Sequence, residues 1–158
     1  MIFLTVGTGP DGFDRLVRGV DAIAPDLDEP VHAQIGRGEY VPAHLDWFRF
    51  TSEAAVHDLY READLVVAHA GAGTLLTALS YGTPVVVLPR RAGRGEHNDD
   101  HQLELARALR DRPDVRVVSD TDELAAAIEK SRPEGNGGTE PDDSLARFLS
   151  SYIDGLEP

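Results

Sequence analysis

Two stretches of this chain combine residue types and spacings suited to holding a phosphorylated ligand. The first is His69-Ala70-Gly71-Ala72-Gly73-Thr74. Gly71 and Gly73 lack side chains and let the backbone approach a ligand closely. They open a run of small and apolar residues that reads as a helix, whose first amides and dipole favour an anion. On this reading the amides of Gly73, Thr74 and Leu75 face a phosphate, and the Thr74 hydroxyl adds a donor. A tight connection with glycines for packing alone is the alternative. The second stretch is Pro89-Arg90-Arg91-Ala92-Gly93-Arg94-Gly95-Glu96-His97-Asn98-Asp99-Asp100-His101-Gln102. Arg90, Arg91 and Arg94 carry the guanidinium geometry that neutralises a diphosphate, and Asp99, Asp100, His101 and Gln102 suit sugar hydroxyls. Together the two stretches outline a pocket for a nucleotide-diphosphate sugar.

Other chemistries fit less well. Gly7-Thr8-Gly9-Pro10-Asp11-Gly12 matches the spacing G-x-G-x-x-G. Pro10 removes one donor amide, however, and the next apolar run ends Gln34-Ile35-Gly36 without the acid that would hold a ribose, so a dinucleotide site is not favoured. His97 and His101 stand four apart beside Glu96, Asp99 and Asp100. Gly93 and Gly95 make that segment a loop, and the spacing matches no specific metal signature, so no metal or other cofactor is assigned. His69 at a strand end reads first as a hydrogen-bonded structural residue and second as a participant in proton transfer. Neither a nucleophile elbow nor a phosphate loop with Gly-Lys-Ser/Thr is present.

These residues need a scaffold, and the hydrophobic pattern supplies one. Short continuous apolar runs at Ile2 to Val6, Val31 to Ile35, Trp47 to Phe50, Leu65 to Ala68, Pro84 to Leu88 and Val115 to Val118 read as buried strands. Helical spacing appears at Phe13 to Ala24, from Ser52 (a candidate cap) to Ala63, from the second glycine turn to Tyr81, at Gln102 to Leu109, and at Asp122 to Lys130 with Asp120 or Thr121 as cap. Strands alternating with helices predict an α/β fold: a doubly wound, Rossmann-like parallel sheet covered on both faces, with ligands at the carboxyl ends of its strands. Residues 1–131 form this domain, 132–144 read as a flexible linker, and 145–158 carry one amphipathic helical stripe: Leu145, Phe148, Leu149, Tyr152, Ile153 and Leu156. That stripe must bury itself on this domain or on a partner.

Composition narrows the classes. At 158 residues, 41% hydrophobic and 27% charged, the chain has one domain's worth of sequence. Its apolar runs are too short to span a bilayer, and its N-terminus lacks the basic region of a signal peptide. The absence of cysteine excludes disulfides and thiolate chemistry, and the expected compartment is cytoplasmic. A net charge of −13, with Lys130 the only lysine, argues against nucleic-acid binding. Either a basic partner or the acidic, lysine-poor surface of proteins from salt-loving organisms accounts for it; the scattered acids favour the second.

The ordered set Val6-Gly7-Thr8, Phe13-Asp14-Arg15-Leu16, Ala33-Gln34-Ile35-Gly36, Ala68 to Thr74, Gly82-Thr83-Pro84, Leu88-Pro89-Arg90-Arg91 and Gly95 to Gln102 resembles the C-terminal domain of family 28 glycosyltransferases across residues 1–130. Within that family it is most similar to the stand-alone subunit type, that of PssE-like chains and of the catalytic subunit of two-part UDP-N-acetylglucosamine transferases. The resemblance implies the donor-binding half of a GT-B enzyme, an inverting glycosyltransferase working on a UDP-sugar. The acceptor half would be a separate, membrane-anchored subunit presenting a lipid-linked or polysaccharide acceptor, so this chain would sit peripherally at the membrane through that partner. Carried over by motif position, Gly71, Gly73 and Thr74 meet the diphosphate and Asp100, His101 and Gln102 meet the sugar. Gly7, Thr8, Arg90, Arg91, Arg94, Glu96 and His97 complete the expected substrate-binding set, with His69 as the one candidate catalytic group and the acceptor-side base expected from the partner. Where MurG-like enzymes hold the ribose with a glutamate, this chain has Thr77, which favours the PssE-like branch. Two other readings stand beside this one: a non-catalytic nucleotide-sugar binding or regulatory module, and an epimerase-like enzyme that oligomerises to close its pocket.

Overall fold

The computed structural model describes residues 1–131 and residue 147; the expected linker and C-terminal helix lie outside the described residues. Six parallel strands form one sheet: β1 (Ile2–Thr5), β2 (Val31–Gln34), β3 (Asp46–Phe48), β4 (Leu65–His69), β5 (Val85–Leu88) and β6 (Val115–Val117). Their order is β3-β2-β1-β4-β5-β6, so the direction of winding reverses between β1 and β4. Among the described residues four α-helices lie between strands, α1 (Asp14–Ile23), α2 (Glu53–Glu62), α3 (Ala72–Ser80) and α4 (His101–Leu109), and α5 (Leu124–Ser131) follows β6. The α/β, Rossmann-like architecture is the one the alternation of runs predicts.

Strand periodicity divides the core in two. Ile2, Leu4, Leu65, Val67, Val86 and Leu88 face α1 and α5, where they pack on Leu16, Val17, Val20, Leu124 and Ile128. Phe3, Val66, Ala68, Val85 and Val87 face the opposite layer and meet Tyr60, Leu75, Leu79, Leu105 and Leu109 of α2, α3 and α4. With both faces covered, β1, β4 and β5 are apolar throughout or nearly so, as a central parallel strand must be.

Local chemistry sets the helix starts. Ser52 accepts the Ala55 amide at 3.2 Å and caps α2. Asp120 and Glu123 form a capping box around a single 3-10 turn at Thr121–Glu123, which runs into α5; α5 therefore begins two residues later than helical spacing suggests. Asp21, buried on α1, accepts the Tyr40 hydroxyl and the amides of Ala43 and His44, pinning the connection between β2 and β3. The strand expected at Trp47 to Phe50 is shifted toward the N-terminus, to Asp46–Phe48.

Candidate functional site

The carboxyl ends of β1 and β4, at the winding reversal, carry the two glycine turns, and one side chain explains both. His69 is the last residue of β4 and only 9% exposed. A Cβ on Gly7 would stand 2.7 Å from its Nε2, and one on Gly71 would stand 2.3 Å from its Cε1. Gly7 also has a φ of +77°, which an L side chain rarely adopts. The imidazole is thus wedged between the two turns. Gly73 differs: a Cβ there would meet nothing within 4 Å.

Gln102 completes the arrangement from the start of α4. Its Oε1 accepts the amides of Ala70 (3.1 Å) and Arg90 (3.0 Å), tying the turn after β4 to the turn after β5. Its Nε2 lies 3.2 Å from His69 Nδ1, while His69 Nε2 lies 3.1 Å from Thr74 Oγ1. Burial, reinforced by the charges of Arg90 and His97, lowers the His69 pKa to about 3, so the ring is neutral at physiological pH. Both ring nitrogens are engaged and the ring is buried. These surroundings give His69 a holding role, and they oppose the proton transfer considered for it.

At the start of α3, Leu75 donates its amide to Gly71 O (3.0 Å) and is unavailable to a ligand, contrary to expectation. The amides of Ala72, Gly73 and Thr74 have no acceptor among the described residues. Those of Gly73 and Thr74 border a cleft of ≈ 280 Å³ between α2 and α3, lined by Gly7 and Thr8 from the first turn, Gly73, Thr74 and Thr77 from α3, and Glu53 and His57 from α2. The Thr77 hydroxyl is spent on Gly73 O at 2.9 Å. Tyr60 also lines the cleft, and burial pushes its pKa up to about 12. His57 Nδ1 stands 2.7 Å from the Tyr81 hydroxyl and fastens α2 to the end of α3.

The α2 wall is the part of the site that motif reading missed. Glu53 and His57 are four residues apart, one helical turn, and the Ser52 cap puts the start of α2 on the ligand edge. The incomplete burial of the apolar residues Ala55, Val56 and Leu59 has the same origin, since part of this helix face borders open clefts.

The segment after β5 is arranged differently from the expected diphosphate clamp. Arg90 is buried, donates to Val6 O at 2.8 Å and lies 5.2 Å above the Phe13 ring. Arg91 donates to Ser119 O at 2.8 Å, and Arg94 lies 3.7 Å from Asp120. None of the three lines the cleft. Glu96 accepts both arms of Arg15, at 2.8 and 2.9 Å, anchoring the segment to α1. Asp100 accepts the Ala92 amide, and Asp99 accepts the His101 amide and lies within 3.3 Å of His97 and 3.1 Å of His101. That amide, backed by the two imidazoles, holds the Asp99 carboxyl below the usual range. Among the described residues no three such groups are arranged to enclose a metal ion, and no helix is long and apolar enough to cross a membrane.

Fold and site define a doubly wound α/β domain whose ligand edge combines a free helix start with an open cleft. The chain belongs to the glycosyltransferase family 28 C-terminal domain family, whose model matches residues 1–150. It is 36% identical over 126 residues to the human UDP-N-acetylglucosamine transferase subunit ALG13, and 35% identical over 125 residues to the mouse protein of that name. Those matches take in 68% of this chain but 10% of either relative, so the chain spans a small part of their length. Among solved structures, the ALG13 solution structure superposes with a TM-score of 0.61 at 20% identity, covering 94% of both chains. MurG of Acinetobacter baumannii superposes with a TM-score of 0.57 at 17% identity, covering 98% of this chain and 49% of MurG. These likenesses show the fold.

Proposed function

We propose that this chain is the UDP-sugar-binding catalytic subunit of a two-component inverting glycosyltransferase acting on a lipid-linked or polysaccharide acceptor. The observation that carries this reading is the start of α3, where the unpaired amides of Gly73 and Thr74 and the Thr74 hydroxyl border a cleft of ≈ 280 Å³ at the winding reversal of a doubly wound sheet. The diphosphate sits at those amides, which stabilise the leaving group as the anomeric carbon is displaced. The nucleoside lies in the cleft against α2. Gly7 and Thr8 border the phosphates from the first turn, and the sugar extends toward Asp100 and His101. Gln102, His69, Arg90, Arg91, Arg94 and Glu96 act behind this surface by fixing the turns. The relatives whose name states a UDP-N-acetylglucosamine transferase subunit support the donor class and a second subunit. That second subunit is membrane-anchored, supplies the acceptor-side base and holds this chain at the membrane surface; the stripe of residues 145–158 is the segment that docks on it.

Calorimetric titration of the chain in high salt with UDP, UDP-sugars and NAD, with and without a divalent metal, tests the donor assignment. Binding of UDP or a UDP-sugar without metal is expected. Binding of NAD alone, or no nucleotide binding even with the second subunit co-expressed, overturns it.

A further inference from the structure

The polarity of the Gln102–His69–Thr74 chain follows from its inner end. Gln102 Oε1 faces two backbone N–H donors, those of Ala70 and Arg90. Turning the amide over would set its NH2 against both of them, so the assignment of oxygen and nitrogen is determined by the network. The group facing His69 Nδ1 is therefore an N–H donor, and Nδ1 must present its lone pair. The ring proton then resides on Nε2, which donates to Thr74 Oγ1. Because Oγ1 accepts from the ring, its one hydrogen is not spent on His69 and is available to an acceptor in the cleft, beside the free amides of Gly73 and Thr74.

We propose that Gln102 and His69 are positioning residues that fix the Thr74 hydroxyl as a hydrogen-bond donor toward an anionic ligand oxygen at the start of α3. The inference rests on the reading of this cleft as a nucleoside-diphosphate site, and it gives the buried histidine a task in ligand binding. Gly7 and Gly71 belong to the same device, because only glycine at both positions leaves room for the ring.

The test compares UDP with uridine, which lacks the phosphates, on the full chain. Thr74→Val removes the hydroxyl at constant shape and should weaken UDP by roughly ten- to hundredfold, as loss of a hydrogen bond to a charged group does, while leaving uridine unchanged. Thr74→Ser should retain UDP affinity. His69→Met should weaken UDP severalfold and uridine not at all, whereas His69→Gln, which keeps an N–H donor, should stay within about twofold of the parent if the donor is what matters. The double variant Thr74→Val with His69→Met should bind UDP no more weakly than Thr74→Val alone, because His69 acts through Thr74. Additive losses, or equal losses of uridine, would assign His69 a general structural role and overturn the relay. Nitrogen-15 spectra of the His69 ring give an independent arm that needs no ligand: protonation on Nε2 is expected, and protonation on Nδ1 overturns the relay while leaving the donor-half reading untouched. A folded parent chain that binds no UDP even with its second subunit overturns that reading, and the ligand end of the relay with it.

Discussion

Replacing Gly73 by aspartate should separate folding from binding, because the two respond with opposite sign. Gly73 is the second residue of α3, its φ is unexceptional, and a Cβ there meets nothing within 4 Å. Glycine is a poor helix residue, and a carboxylate in the first turn interacts favourably with the dipole, each by a few tenths to about 1 kcal/mol. Gly73→Asp should thus leave the melting temperature unchanged or raise it slightly. At the proposed phosphate position the same carboxylate is repelled. Two like unit charges about 5 Å apart at an effective dielectric of about 20–80 cost about 1–3 kcal/mol, or roughly 5- to 150-fold in affinity. The new side chain also competes for the amides of Ala72, Gly73 and Thr74. Thermal unfolding and UDP titration of Gly73→Asp and Gly73→Ala together provide the assay. Loss of UDP binding in the aspartate variant with near-parental affinity in the alanine variant is the expected result. Parental affinity in Gly73→Asp would refute the assigned phosphate position, and equal loss in both would refute the electrostatic argument.

Gly7→Ala and Gly71→Ala should behave unlike Gly73→Ala, each lowering stability by about 1–3 kcal/mol through overlap with His69, with roughly 1–2 kcal/mol more at Gly7 for its left-handed backbone; chemical denaturation of the three variants gives the ranking. Asp21→Ala removes the charged acceptor of a half-buried hydroxyl and two amides and should cost about 1–3 kcal/mol in the same assay. Burial by itself would raise the Asp21 pKa, but the Tyr40 hydroxyl and the two amides outweigh it, so its contribution is present above the unfolded carboxyl pKa and lost as pH falls through the lower folded value. His69 has the opposite charge type and a depressed pKa: between about 3 and the ordinary value of 6.5 the unfolded chain binds the extra proton, so stability should fall on acidification across that window, and less so in His69→Gln. Glu96→Gln should cost about 1.5–3 kcal/mol by removing the charged acceptor of Arg15, 14% exposed, whose other carboxylate neighbour, Asp120, stands 3.7 Å away; calorimetric unfolding measures it.

The strands and the doubly wound order were legible because a central parallel strand leaves no polar face to obscure its apolar run. The glycine turn before α3 was legible for a similar reason: two glycines around a small residue, between a strand and a helix, have few other uses. What the sequence could not show was which glycine served which purpose. Gly71 and Gly73 are equivalent as letters, yet one makes room for an imidazole and the other for solvent or ligand. Three arginines in one segment of an acidic, lysine-poor chain point to ligand contacts. Their carbonyl and carboxylate partners, Val6, Ser119 and Asp120, lie 84, 28 and 26 residues away and become visible only in three dimensions. The α2 wall is not legible because Glu53 and His57 look like an ordinary solvent-exposed pair until Thr74 and Thr77 of α3 are seen lining the same cleft.

The buried polar groups share a pattern that bears on how such a small domain keeps a site open. Tightly packed turns lose backbone solvation, and every buried amide needs a partner. Gln102 supplies that partner to Ala70 and Arg90, Thr5 supplies it to Gly7 and is itself bonded to Gln34, and Arg90 returns a donor to Val6 O. The turns after β1, β4 and β5 are thereby satisfied by side chains from neighbouring elements, with no call on the first amides of α3. Those amides remain unpaired because the surrounding polar groups are already committed to one another. A mutation that frees Gln102 or Arg90 would therefore do more than weaken the turns: it would release competing donors and acceptors beside the start of α3, and the ligand would have to displace them.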